Sequence, residues 1–152
     1  MGRVKADLQL PGVATSDAEE LWYDTRRWPT FVDGFAHVHK VDEGWPRKSG
    51  AVVVWDAKPG GRGRVLERVV GFEARVGQTV EIEDEKIQGR QTIAFEPGSD
   101  GCSLTLELDY AIKQGRAVAN VVDLLFVRRP MRDSLRRTLA RFALEVRAPT
   151  DL

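Results

Sequence analysis

The fold is decided near the carboxyl terminus, by CSLTLELDYAI (residues 102–112) and the later stretch RPMRDSLRRTLARFALEV (residues 129–146). In the first, Leu104, Leu106, Leu108, Tyr110 and Ile112 alternate with Ser103, Thr105, Glu107, Asp109 and Ala111. A period of two places one set on a dry face of a strand and the other in water. After Gly115 the period turns helical: Met131, Leu135, Leu139, Phe142 and Val146 are spaced four, four, three and four, one apolar stripe. Pro130 removes a helical N–H, so a kink, or two helices in series, is expected beside it.

Working back from the final strand, residues 36–113 read as strands throughout. AHVHKV, AVVVWDAK, RVLERVVGFEA, QTVEIED and RQTIAFEP precede it, and KPGGRG, RVGQ, KIQG and PGSDG break them as turn-formers. Short connections of this kind join antiparallel neighbours. At the other end, Val4, Ala6, Leu8 and Leu10 alternate with Arg3, Lys5, Asp7 and Gln9, a further half-buried strand that Pro11-Gly12 stops. Ser16 followed by Glu19 forms a capping box that opens a short helix through about Tyr23. Pro29 is tolerated in a first helical turn and predicts a second short helix over Pro29–Asp33. Gly34 then permits the turn into the sheet.

The order is strand, two short helices, six strands, long helix. Seven antiparallel strands with one polar face need cover on the other, and only the last helix carries a long enough apolar stripe. A twisted sheet wrapped around one helix leaves space between them, closed at one end by the short helices. The expectation is an α+β helix-grip container with an interior cavity, in one domain over residues 1–152.

Bulk properties agree with a globular chain: 152 residues, 42% hydrophobic and 30% charged. No apolar run approaches the ~20 residues of a membrane span, and MGRVKADLQL lacks the apolar core of a secretory signal. With the single Cys102 no internal disulfide forms, so a cytoplasmic location is expected. Formal charge is zero but uneven, since Lys113–Leu152 holds nine basic and four acidic residues. Such asymmetry fits either an acidic partner or a solvated helix face.

Metal and nucleophile chemistry find little support. His37 and His39 share a strand face, but Cys102 is distant and no metal motif joins them. No G-x-S-x-G is present. Gly60-Gly61-Arg62-Gly63 joins strands rather than a strand and a helix, and reads as a turn rather than a phosphate loop. No cofactor is implied. In RVLERVVGFEA, Arg64, Leu66, Arg68, Val70, Phe72 and Ala74 share one face, and Val65, Glu67, Val69, Gly71 and Glu73 the other. The first set is the more apolar, which directs Arg68 toward the cavity, where it requires a carboxylate, carbonyl or water. A paired arginine at the sheet rim is the alternative. The expected apolar walls are Trp28, Phe35, Val53, Trp55, Leu66, Phe72, Phe95, Leu106, Leu108, Met131 and Leu135, with Arg68 and the Tyr110 hydroxyl as the orienting polar pair.

ELWYDTRRWPTFVDGF, with Trp22 and Trp28-Pro29, resembles a segment of the START-like (SRPBCC) superfamily, which includes polyketide cyclase/dehydrase families. VLERVVGFEA, PGSDGCSLTLELDY and RPMRDSLRRTLARFALEV are similar too, so the resemblance spans nearly the whole chain. It implies the helix-grip fold and leaves function open, because lipid carriers, hormone receptors, cyclases and chaperone cofactors share it. In the aromatase/cyclases that this chain resembles, a cavity arginine matching Arg68 polarises or protonates the polyketide. Those enzymes also carry a tyrosine where this chain has Phe35, which cannot transfer a proton.

Three readings follow. The first is binding of a hydrophobic or aromatic, lipid- or polyketide-like molecule by a monomer or homodimer. The second is a cyclase or dehydratase using Arg68. The third is docking of the Arg-rich helix on an acidic partner or anionic membrane, whereas nucleic acid is disfavoured by the lack of an aromatic stacking platform.

Overall fold

The computed structural model describes residues 1–113 and 123–148; Gly115, Arg116 and Asp151, used in the sequence reading, lie outside them. The elements run β1 (Gly2–Pro11), α1 (Thr15–Tyr23), α2 (Trp28–Phe31), β2 (Phe35–Val41), β3 (Val52–Ala57), β4 (Arg64–Glu73), β5 (Gly77–Glu83), β6 (Ile87–Gly98) and β7 (Gly101–Ile112). A π-helical segment, Asp123–Arg128, leads into α3 (Arg129–Val146). The strands form one antiparallel sheet in the order β1-β7-β6-β5-β4-β3-β2. This is the helix-grip architecture: a meander from β2 to β7, with β1 returning beside β7, folded around α3.

The period of two in β7 places Cys102, Leu104, Leu106, Leu108 and Tyr110 in the core. Across the ladder, Val4 faces Leu108 and Ala6 faces Leu106, so β1 continues the same dry face. The small Ala6 leaves room there for α3, which packs on β1. On α3, Leu135, Thr138, Leu139 and Phe142 are buried, while Met131 and Val146, at the ends of the stripe, are half-buried. Phe142 meets Trp22 and Phe31 edge-on at 5.6 and 5.2 Å between centroids, a geometry aromatic quadrupoles favour. Helices α1 and α2 are thereby fixed to the carboxyl-terminal half of α3.

Several local expectations are corrected. Helix α1 begins at Thr15 after Ala14, with no side-chain cap; the expected capping box is absent because Glu19 accepts from the Arg75 backbone N–H at 2.6 Å. Helix α2 is one turn, Trp28–Phe31, ending two residues short of Asp33, whose backbone N–H is drawn to Thr138 Oγ1 of α3 (3.0 Å). Strand β6 starts at Ile87 rather than after Gly89, because Asp84 Oδ1 accepts from the N–H groups of Lys86 and Ile87 and turns the chain earlier. The expectation of two helices in series beside Pro130 holds: the π-helical segment ends at Arg128 and Pro130 sits in the first turn of α3, where its missing N–H is tolerated.

The correction that matters for function is in β4. The buried residues of its first half are Val65, Glu67 and Val69, while Arg64 and Arg68 are exposed and Leu66 is half-buried on the outer face. Arg68 therefore does not enter the cavity. Between Val69 and Gly71 the pairing with β5 shifts by a bulge. The alternation resets there, and Phe72 reaches Tyr23 at 5.5 Å on the inner side. Counting apolar residues over the unbroken stretch thus selects the wrong face.

Candidate functional site

Between the sheet and the helices lies a small cavity. Its sheet wall includes Trp55, Glu67, Gln78, Ile82, Gln91 and Leu106, and its helical wall Trp22, Trp28, Phe31, Ser134, Leu135 and Thr138. Its volume is about 40 Å³, room for roughly three waters at ~10–15 Å³ each, against ~300–1,000 Å³ for a drug-sized ligand pocket.

Aromatic rings pack around the cavity, and indole N–H groups fix two of them. Trp28 Nε1 donates to the Trp22 carbonyl (2.8 Å) and Trp45 Nε1 to the Tyr23 carbonyl (3.1 Å), with the two rings edge to face at 5.8 Å. Phe35 stacks on Trp55 at 5.3 Å and meets Trp28 edge-on. A phenylalanine at position 35 therefore props the site as a ring.

The polar end of the cavity is built by β3, β4 and the loop joining them. Trp55 is paired with Val65, and Glu67 sits two residues further on the same face of β4. From that diagonal position Trp55 Nε1 donates to Glu67 Oε2 at 2.7 Å. Oε1 accepts no hydrogen bond from the described residues. Burial pushes the Glu67 carboxyl above its usual range, partly offset by the Trp55 hydrogen bond and the Arg62 charge. A carboxyl in that condition holds its proton at higher pH than usual and can serve as donor or base.

Arg62 arrives from the β3–β4 loop, where Gly63, in the left-handed region (φ 77°), allows the reversal into β4. Its Nε donates to Asp84 Oδ2 at 2.7 Å, and its guanidinium lies 5.8 Å from the Trp55 ring centroid. The loop expected to be a plain turn thus delivers a cation to the cavity wall. Gln78 is steadied by donating to the Pro46 carbonyl (3.1 Å).

On the helical side of the cavity, Asp33 ties α2 to α3. It accepts from Ser134 Oγ (2.8 Å), from Arg137 through Nε and Nη2 (3.1 and 3.0 Å), and from Arg141 Nη1 (3.0 Å). Partial burial alone would raise its carboxyl, but hydrogen bonds from Arg137 and Ser134 and the charges of Arg137 and Arg141 prevail, holding it below the usual carboxylate range. Arg27 bonds Glu145 across the same seam. Three cations that sequence patterning left as a possible docking face are internal ties of this kind, counting Arg147, which donates to the Pro11 carbonyl.

Of the residues expected to form the site, Trp28, Trp55, Leu106 and Leu135 line the cavity. Phe35 and Val53 are packed behind it, Phe95 and Phe72 pack on Tyr23, Tyr110 is buried beside Gly2, and Met131 is half-buried on α3. Leu66 and Arg68 lie on the outer face. Glu67, Arg62, Gln78, Gln91 and Trp45 were not anticipated. His37 Nε2 pairs with Asp56 Oδ2 (2.9 Å), and among the described residues no cluster of His, Cys, Asp or Glu suits a metal ion. No helix among them is long and apolar enough to cross a membrane.

The fold is shared with solved structures of low sequence identity. A Chromobacterium violaceum protein superposes with a TM-score of 0.71 at 13% identity, over 98% of this chain and 100% of that one. Truncated norcoclaurine synthase from Thalictrum flavum gives 0.70 at 15% identity, over 98% and 95%. A Thermus thermophilus protein gives 0.70 at 18% identity, over 95% and 97%. No curated protein matches the sequence significantly. The family described as polyketide cyclase / dehydrase and lipid transport matches residues 12–147, so with its START-like helix-grip fold the chain belongs to that family.

Proposed function

We propose that this protein binds a small hydrophobic or aromatic molecule in the cavity beneath α3, with Glu67 as the polar anchor. The observation that carries the reading is a carboxyl group buried among tryptophans and given only one neutral hydrogen bond, from Trp55. A buried carboxyl costs several kcal/mol unless satisfied, so a site that serves packing alone gains nothing by keeping it. Apolar walls with a few convergent polar groups are the ordinary make-up of a ligand site. At about 40 Å³ the space suits a fragment of a few heavy atoms; anything larger requires rings such as Trp28 or Phe31 to shift.

An enzymatic reading stands second, and the Glu67 environment favours it over the Arg68 route. A carboxyl pushed upward by burial is better suited to proton transfer than an ordinary one. Norcoclaurine synthase, similar in fold, has been solved with dopamine and hydroxybenzaldehyde, so small phenols and aromatic aldehydes are sensible first probes for both readings. The test is mass spectrometry of small molecules that co-purify with the native protein and with the Glu67→Gln variant. A molecule retained by the native protein and lost from the folded variant is expected; retention of the same molecule by both would remove Glu67 from the site.

A further inference from the structure

We infer that the molecule bound in this cavity presents a carbonyl or carboxylate oxygen to Arg62, which is held in place by Asp84 as a specificity-determining donor. This rests on the binding reading above and adds to it the chemical class of the ligand. Three observations carry it.

The Arg62 side chain is only 18% exposed and lines the cavity. Its Nη2 is buried and has no hydrogen-bond partner among the described residues. A buried N–H left without an acceptor is costly, and native interiors pair such groups with protein, water or a ligand. The second observation is preorganisation. Asp84 is 1% exposed on its side chain, is fixed by the backbone N–H groups of Lys86 and Ile87, and takes Nε of Arg62. With Nε held by Asp84 and the guanidinium carbon 5.8 Å from the Trp55 ring centroid, the planar fork restricts where Nη2 can point.

The third is charge. Asp84 offsets the Arg62 cation, so the free donor does not demand an anion, and a neutral carbonyl oxygen satisfies it as a carboxylate does. At the same end, Glu67 Oε1 is unengaged. A hydroxyl beside the ligand's carbonyl finds a partner there, an acceptor when Glu67 is charged and a donor when it holds its proton. The cavity thus offers the Arg62 donor and the unengaged Glu67 oxygen within one aromatic-walled space.

The test follows the Trp55 indole N–H resonance while the intact protein is titrated with acetone, acetate and isobutene, each of four heavy atoms. The last matches the ketone in shape and lacks the oxygen. The native protein is expected to prefer the ketone or acetate, and whichever binds more tightly distinguishes a neutral carbonyl from a carboxylate. Arg62→Lys keeps a charge for Asp84 and loses the planar fork that lets one group reach Asp84 through Nε and the ligand through Nη2. It should weaken the oxygen probes by about tenfold, equivalent to ~1.4 kcal/mol, and the hydrocarbon by less than about twofold. The paired variant Arg62→Met with Asp84→Asn leaves no unpaired charge and should behave alike, which guards against misfolding of the single variant. If the hydrocarbon binds as well as the ketone and acetate in native protein, or both variants keep full affinity for them, binding stands and the role of Arg62 is overturned. If no probe shifts Trp55 in native protein, the binding reading fails and this inference with it.

Discussion

Asp33 and Glu67 line the same cavity from opposite sides, yet the chain treats the two carboxylates in opposite ways. Asp33 receives side-chain hydrogen bonds from Ser134, Arg137 and Arg141 and is held charged. Glu67 receives one neutral N–H, from Trp55, and burial drives its proton affinity up. A saturated carboxylate has nothing left to offer a ligand, whereas an under-satisfied one does. Asp33 therefore reads as the bolt between α2 and α3, and Glu67 as the working group.

Breaking the bolt should give the largest effect. Asp33→Asn loses two arginine pairs whose outer ends are about half exposed, so solvent screening limits the cost to about 1–2 kcal/mol, read from urea unfolding. The pH dependence identifies the cause. Because the native carboxyl lies below its ordinary value of 3.8, its contribution is full above that value and is lost as pH falls through the native pKa. The variant should show a flatter loss of stability across that acid window. An equal slope in the two proteins would mean that Asp33 is not the tie described.

Replacing the working group should act with the opposite sign. Native Glu67 lies above its ordinary value of 4.5, so between the unfolded and native pKa values the folded state holds a proton that the unfolded chain has released. Stability then falls as pH rises through that window, by about 1.4 kcal/mol for each unit of separation. Glu67→Gln keeps an acceptor for Trp55 without the titration. It should match the native protein near pH 4 and exceed it at pH 8, a gain in stability of the kind seen when a functional group is removed. Thermal unfolding at the two pH values measures this, and a variant less stable than native protein at pH 8 would contradict the account of Glu67.

The contrast between regions also separates what was legible in the sequence from what was not. The sheet order and α3 could be read because β7 and α3 carry uninterrupted periods of two and of helical spacing, each long enough to fix its own face. The Glu67 site could not be read the same way. Strand β4 is bulged between Val69 and Gly71, and pooling residues across the bulge brought Val70, Phe72 and Ala74 to the side of Arg68. The one cue was Gly71 itself, since an isolated glycine in a strand often marks a bulge. Read only as far as Val69, the apolar set is Val65 and Val69, with Glu67 between them. Arg62 had no cue of this kind, because a loop side chain follows no period and its partner Asp84 is twenty-two residues away. The role of Asp33 was hidden for the same reason: its partners lie more than a hundred residues on.

The smallest expected effect makes the sharpest test of that reading, because Glu67 and Arg68 are adjacent in sequence and opposite in environment. Arg68 is exposed on the outer face of β4 and faces Glu81 across the ladder. An exposed cross-strand pair contributes little, so Arg68→Ala should change stability by less than about 0.5 kcal/mol. Removing Arg68 takes no group from the cavity, so retention of any co-purifying molecule should be unchanged in this variant while Glu67→Gln abolishes it. If Arg68→Ala instead lost the molecule with its stability intact, the outer face of β4 would be part of the site, and the inward turn of Glu67 would no longer explain why this strand carries a charge between two buried valines.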